Sequence, residues 1–415
     1  MILRVSLYDL NIPEPMSRIP TPPKAKKIPH QTVINGVTID DDYFWLREKE
    51  NPEVLALLEA ENAYTEEVMG PLKGFREKLY QEMKGRIKED DQDVPVKDGE
   101  WYYYTRMEPG RQYGIHCRKR NDLTAPEEIL LDGNALAEGK SYFRLGAFEV
   151  SSNHEWLAYA ADYNGSEHYT IYFKNLISGE ILNETIEDTA ASIEWAEAGL
   201  YIFYTVLDAH DRPDRVFRHE LKTSAKDTPI YQEKDARFFI GLSKSRSRRY
   251  IFISTEGKTS GETYYLDAEQ PLGHFKVIEP RRDNLLYDVT HHGELFYIVT
   301  NDKVENFRLV SAPVQTPGAK HWQELRSGSE ALYIESAEAF QSYLVVRSRE
   351  RGLPQIRVVE FGADGKADFA NEHLIEFTEP IYGLGGQNNP DFNSEVYRFG
   401  YTSMVTPNTV FDYNM

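Results

Sequence analysis

YDVTHHGELFYIVT, residues 287–300, decides the fold. A short alternating run, Tyr287 to Thr290, is followed by a polar turn at His292-Gly293. An aromatic, β-branched run, Leu295 to Thr300, then returns. Period-two apolar spacing on both sides of a glycine turn reads as two antiparallel strands. The same unit recurs along the chain. Upstream it appears as VPVKDGEWYYYTR from Val94, FEVSSNHEWLAYAAD from Phe148, IEWAEAGLYIFYTV from Ile193 and FIGLSKSRSRRYIFIST from Phe239. Downstream it appears as IESAEAFQSYLVVRS from Ile334 and YGLGGQNNPDFNSEVYRFGYTS from Tyr382. Successive units start 54, 45, 46, 48, 47 and 48 residues apart. A repeat of roughly 40–50 residues built of short strands is the pattern of a β-propeller with about four strands per blade. Seven units predict seven blades. The last unit runs out near Met415, so the propeller is expected to end where the chain ends, between blades and not within one.

Ahead of the repeats the period is 3.6. Asn51 is a good N-cap and Pro52 fits the first helical position, where its missing N–H costs nothing. Val54, Leu57, Leu58, Tyr64 and Val68 fall on one side. Gly70-Pro71 is expected to stop this helix, and a second carries Leu72, Phe75, Leu79, Met83 and Ile87 in a stripe. The expected organisation is an irregular tail over 1–20, a helical segment over 21–88 and a seven-bladed propeller over 89–415. The fold class is mainly β, with a short α-helical N-terminal segment in front of the propeller. Met16, which opens the Pro- and Lys-rich run MSRIPTPPKAKKIPH, is expected to be the native start.

Composition excludes several functions. The formal net charge is −20, which opposes non-specific nucleic-acid binding. The hydrophobic fraction is 40% and the aromatic fraction 13%, with 27 Tyr and 20 Phe, as stacked strand faces require. Cys117 is the single cysteine, so no internal disulfide forms and a reducing, cytoplasmic setting is expected. No run approaches the roughly 20 apolar residues that cross a bilayer, and no membrane partner is expected.

A search for chemistry returns little. No serine sits in G-x-S-x-G, the strained turn that exposes a hydrolase nucleophile. Ser141 and Ser243 are near misses that lack the second glycine. His219-Glu220 lacks a second histidine, and the adjacent His291-His292 suit a turn better than a shared ion. Cys117 reads as a small core residue. Gly383-Leu384-Gly385-Gly386 is not followed by a helix, so it reads as a propeller turn and not as a phosphate loop. The basic run 244–249 reads as a hairpin turn ahead of a phosphate contact. Asp40-Asp41-Asp42 and Glu89-Asp90-Asp91 with Asp93 read as solvated linkers; the alternative is an electronegative rim for cationic peptides.

Several runs together resemble one family. They are PPKAKKIPH (22–30), DDYFWLR (41–47), NPEV (51–54), LEAENAY (58–64), RIKEDD (86–91), DRPDRV (211–216), SRSRRY (245–250), NFRL (306–309) and YTSMVTP (401–407). Their order and combined length resemble the oligopeptidase B (protease II) branch of the prolyl oligopeptidase family of serine peptidases, from about Pro20 to Met415. The resemblance implies a cytoplasmic peptidase cutting short basic peptides after Lys or Arg. It also implies that the propeller caps an α/β-hydrolase domain and limits substrate size. The Ser, Asp and His of the triad belong to that second domain, against which the helical segment packs. None of those residues has a counterpart here, so no catalytic residue, metal ligand or cofactor is assigned, substrate-binding positions stay open, and the chain alone is expected to be inactive. The competing expectations are a stand-alone propeller that binds a protein or peptide, and a non-functional fragment.

Overall fold

The computed structural model describes residues 20–197 and 199–415. They fall in two compact units divided at Lys88 and Glu89. The 1–20 tail and Met16 lie outside the described residues, apart from Pro20.

In the first unit a two-stranded hairpin, Gln31–Ile34 with Val37–Asp40, turns at Asn35-Gly36. Both turn residues have positive φ, 50° and 79°, the conformation that makes Asn-Gly the favoured two-residue hairpin turn. Helix α1 (Pro52–Met69) starts as its sequence demands. The Asn51 side chain accepts from the Glu53 N–H at 2.9 Å, and Pro52 occupies the first turn. Gly70-Pro71 does not end it. Gly70 keeps right-handed helical angles (φ −52°, ψ −45°), its N–H donates to the Glu66 carbonyl, and a single 3₁₀ turn over Gly70–Leu72 leads into α2 (Lys73–Lys84). The helical run is therefore one of 33 residues. Proline is tolerated because it falls where the ladder tightens, at the first position of a new turn, and so removes little bonding. The apolar stripe of α2 is exposed at Phe75, Leu79 and Met83, as is Ile87 beyond the helix end.

The second unit is the seven-bladed propeller. Its sheets are antiparallel meanders, strands neighbouring in sequence order, spanning 96–132, 144–189, 193–232, 239–277, 287–327, 332–374 and 382–414. Among the described residues no sheet mixes strands from the two ends of the propeller. Six sheets have four strands and the seventh has three, ending on Thr409–Asn414. This corrects the expectation of a last blade as complete as the others. Counting unit starts counts first strands and says nothing of how many strands follow in each unit.

The second strands of blades two to six are among the most enclosed. All seven residues of Trp156–Asp162 are buried, while the third strand of that blade, Tyr169–Asn175, buries alternate positions at its start. Apolar clusters then weld blade to blade. Leu131 packs with Leu157 between blades one and two, and Phe173 with Trp195 between two and three. Phe203 and Ile251 join three to four, Tyr265 and Phe296 four to five, Tyr297 and Leu344 five to six, and Val358 and Tyr397 six to seven. Each such large side chain contributes about 1.5–3 kcal/mol by leaving water. Among the described residues no cluster joins blade seven to blade one; the remaining one, Tyr104, Ile115 and Cys117, lies inside blade one.

Candidate functional site: the central cavity

The first strands of the blades converge on a cavity of about 410 Å³, lined by residues of all seven blades. Its three cationic side chains, Lys244, Arg246 and Arg248, all come from blade four, at the end of its first strand (Phe239–Lys244) and in the turn that follows. Its four carboxylates, Asp98, Glu149, Glu194 and Glu338, come from blades one, two, three and six.

The turn owes its shape to local bonding. Arg248 takes a left-handed φ of 60°. The Ser245 N–H donates to the Tyr250 carbonyl at 2.8 Å, the Arg248 N–H to the Ser245 carbonyl at 2.7 Å, and the Ser245 hydroxyl accepts from the Tyr250 N–H at 3.0 Å. Every side chain that leaves this frame toward the cavity meets another blade. Lys244 Nζ lies 3.1 Å from Glu194 of blade three. Arg246 pairs with Glu338 of blade six at 2.6 Å, stacks over Phe340 and donates to the Asn389 carbonyl of blade seven. The Ser247 hydroxyl meets His291 Nδ1 of blade five at 2.7 Å. Arg248 pairs with Asp98 of blade one and donates to the Ser152 carbonyl of blade two at 2.9 Å. Residues 244–248 thus touch all six other blades and form a hub at the central cavity.

The hub's partners are themselves held. Glu338 accepts from the Tyr397 hydroxyl at 2.8 Å. His291 Nε2 contacts the Gly293 carbonyl at 2.8 Å, and burial pushes this imidazole down to about 4, so it is neutral at physiological pH. On the carboxylate side burial raises Glu194, and burial followed by the charge of Glu194 pushes Glu149 up to about 8, with Lys244 opposing.

The residues singled out from sequence disperse. Ser243 lies within a strand, paired with Phe252, and Ser141 follows a short helix; neither has a catalytic histidine beside it among its described hydrogen bonds. His219 holds Asp227 and Glu184 and stacks on Phe173, a structural role. His291 and His292 alternate across their strand: the second stacks on Phe361 at 3.6 Å and contacts the Gln341 carbonyl, so the pair shares no ion. Cys117 is buried, and burial pushes its thiol up to about 12. Gly383–Gly386 is not a turn but part of the first strand of blade seven, Tyr382–Gly386, where Gly385 faces Gly400. Asp40 bonds Gln31 and Asp42 pairs with Lys27. Among the described residues no His/Cys/Asp/Glu group is arranged to hold a metal, and no helix is long and apolar enough to cross a membrane. Sequence reading placed the basic run in a turn but missed the hub, since its partners stand between 44 residues (Ser247 to His291) and 150 residues (Arg248 to Asp98) away in the chain.

Seven antiparallel blades around a charged central cavity define a β-propeller. The family model for the prolyl oligopeptidase N-terminal β-propeller domain matches residues 22–415, and the chain belongs to that family. It is 37% identical to dipeptidyl aminopeptidase BI of Pseudoxanthomonas mexicana over 95% of this chain and 56% of that protein. It is 35% identical to protease 2 of Moraxella lacunata over 95% and 57%. Among solved structures, oligopeptidase B from Trypanosoma brucei, with covalently bound antipain in a closed form, superposes with a TM-score of 0.86 at 28% identity, over 94% of this chain and 58% of that one. Oligopeptidase B from Leishmania major gives 0.87 at 27%, over 95% and 59%. The chain therefore spans a little over half the length of these relatives, as the propeller portion of a prolyl oligopeptidase-family peptidase.

Proposed function

We propose that this chain is the access-controlling portion of an oligopeptidase B-like serine peptidase of the cytoplasm. It would admit short peptides with Lys or Arg to a separate α/β-hydrolase domain and exclude folded proteins. The observation that carries this is the hub: one short run that lines the central cavity and is bonded to every other blade. A triad needs nucleophile, base and orienting acid together, and the described residues of this chain bring no such set together.

Two measurements test the reading. The chain alone is expected to show no turnover of Arg- or Lys-containing peptides; turnover that survives repurification overturns it. The chain combined with the hydrolase portion of the Moraxella relative is expected to cleave short peptides and spare folded proteins. Arg246→Ala with Arg248→Ala should then extend cleavage to larger substrates, and an unchanged size limit refutes the gating role.

A further inference from the structure

The central cavity holds four carboxylates and three cations, and the pairing leaves one carboxylate over. Lys244 takes Glu194, Arg246 takes Glu338 and Arg248 takes Asp98. Glu149 has neither a side-chain hydrogen bond nor an ion pair among the described residues, although its backbone carbonyl is fixed by Trp195 Nε1 at 2.9 Å. It stands one residue from the end of the first strand of blade two (Arg144–Val150) and lines the cavity. A half-buried carboxylate without a partner is costly to ionise, and a nearby carboxylate makes its ionisation costlier still.

We propose that Glu149, backed by Glu194, is a docking subsite for one cationic group, the guanidinium or ammonium of a basic peptide side chain entering the central cavity. The cavity volume falls in the range of small-ligand sites. Charge decides the occupant. With the three ion pairs formed, the cavity carries one surplus negative charge once Glu149 ionises, so a single cation neutralises it, whereas an anion would meet Glu149 and Glu194 together. The three cations are already committed to partners and to the turn frame, which leaves Glu149 as the free acceptor. Because the empty site holds a proton on Glu149 at neutral pH, with Lys244 and Glu194 as the charges acting on it, a docking cation displaces that proton to solvent.

This inference rests on the reading that peptides enter the propeller, and its test is separate from the size-limit test because it needs only binding to this chain. The probes are acetyl-Gly-Arg-Gly-amide and its citrulline analogue, equal in shape and uncharged, measured by titration calorimetry at pH 7. The arginine peptide is expected to bind at least about tenfold more tightly, a difference of about 1.4 kcal/mol. Its heat should vary with the buffer's ionisation enthalpy, reporting release of close to one proton. Glu149→Gln is expected to bring the arginine peptide down to the citrulline level and to abolish proton release. Should that variant fail to fold, the peptide comparison and the proton count on the unaltered chain still decide. Equal binding of the two peptides, no proton release, or undiminished binding by Glu149→Gln overturns the proposal while leaving the hub's gating role standing.

Discussion

Blade six meets blade seven through Val345 and Val358 against Tyr397 and Phe399. Blade seven meets blade one through Arg398, whose Nη1 donates to the Pro95 carbonyl at 2.7 Å and the Val94 carbonyl at 3.3 Å, and through Lys97 and Asp391 at 3.9 Å. A cavity of about 480 Å³ lies along this second junction. Six junctions are apolar and cannot part without exposing buried hydrocarbon to water. The seventh is polar, and water replaces much of what is lost when it parts, since a typical hydrogen bond contributes only about 0.5–1.5 kcal/mol net. The ring therefore has one weak junction. The hub spans it from the opposite side, through Arg248 to Asp98 of blade one and Arg246 to Asn389 of blade seven.

The largest effect should come from an apolar junction. Phe173→Ala empties a fully buried site between blades two and three and is expected to cost about 3–5 kcal/mol, read as a lower urea midpoint. A change below about 1 kcal/mol would break the contrast between welded and polar junctions. Next in size is Arg248→Ala, which leaves Asp98 without its cation and is expected to cost about 1–3 kcal/mol. Hydrogen exchange should then quicken at 94–98 and 388–398 while the blade two–three junction keeps its protection. Uniform quickening would mean that the hub stabilises the ring generally and not this junction. Arg398→Ala removes two carbonyl contacts across the junction together with the exposed pair to Asp412 inside blade seven and is expected to cost about 1 kcal/mol, with the same local signature over a narrower stretch.

The smallest effects are those of pH, and two hub neighbours act with opposite sign. Burial holds His291 down to about 4. The unfolded chain takes up this proton near 6.5 and the folded chain only near 4, so the contribution is complete above 6.5 and is lost as pH falls toward 4. Glu149, raised to about 8 by burial and by Glu194, contributes fully below its ordinary value of 4.5, and that contribution is lost as pH rises through 8. His291→Gln should flatten the acid side of the urea-midpoint profile and Glu149→Gln the alkaline side. If Glu149→Gln shifts the midpoint equally at pH 5 and pH 9, Glu149 is not the group responsible.

The two regions also differ in how far the residues announce them. The hairpin made by the first two strands of each blade is legible because alternation, an aromatic run and a Gly, Asn or Asp turn coincide, as in residues 287–300. The outermost strands are not: Lys276–Val277 and His373–Leu374 are two residues long and carry no period. Gly70-Pro71 misleads because its composition is that of a stop while its backbone stays helical. Asn35-Gly36 is a strong hairpin signal that the reading of 21–88 as helical passed over. The polar junction is invisible in sequence, since Arg398, Val94 and Pro95 lie some 300 residues apart. Glu149 sits in an ordinary strand pattern, and only the tally of partners in three dimensions shows that it has none.

The hub also bears on the order in which the molecule assembles. The contacts of Arg246 and Arg248 close loops of 92 residues to Glu338, 96 to Ser152, 143 to Asn389 and 150 to Asp98. Loop-closure entropy makes such contacts slow to form and favours nearer pairings first. Each blade's hairpins and its apolar junction with the next blade can form as the chain grows, but the Arg246 contacts wait for blades six and seven. Residues 244–248 are thus a clasp fastened at the end of folding, near the middle of the propeller's chain and dependent on its last blade.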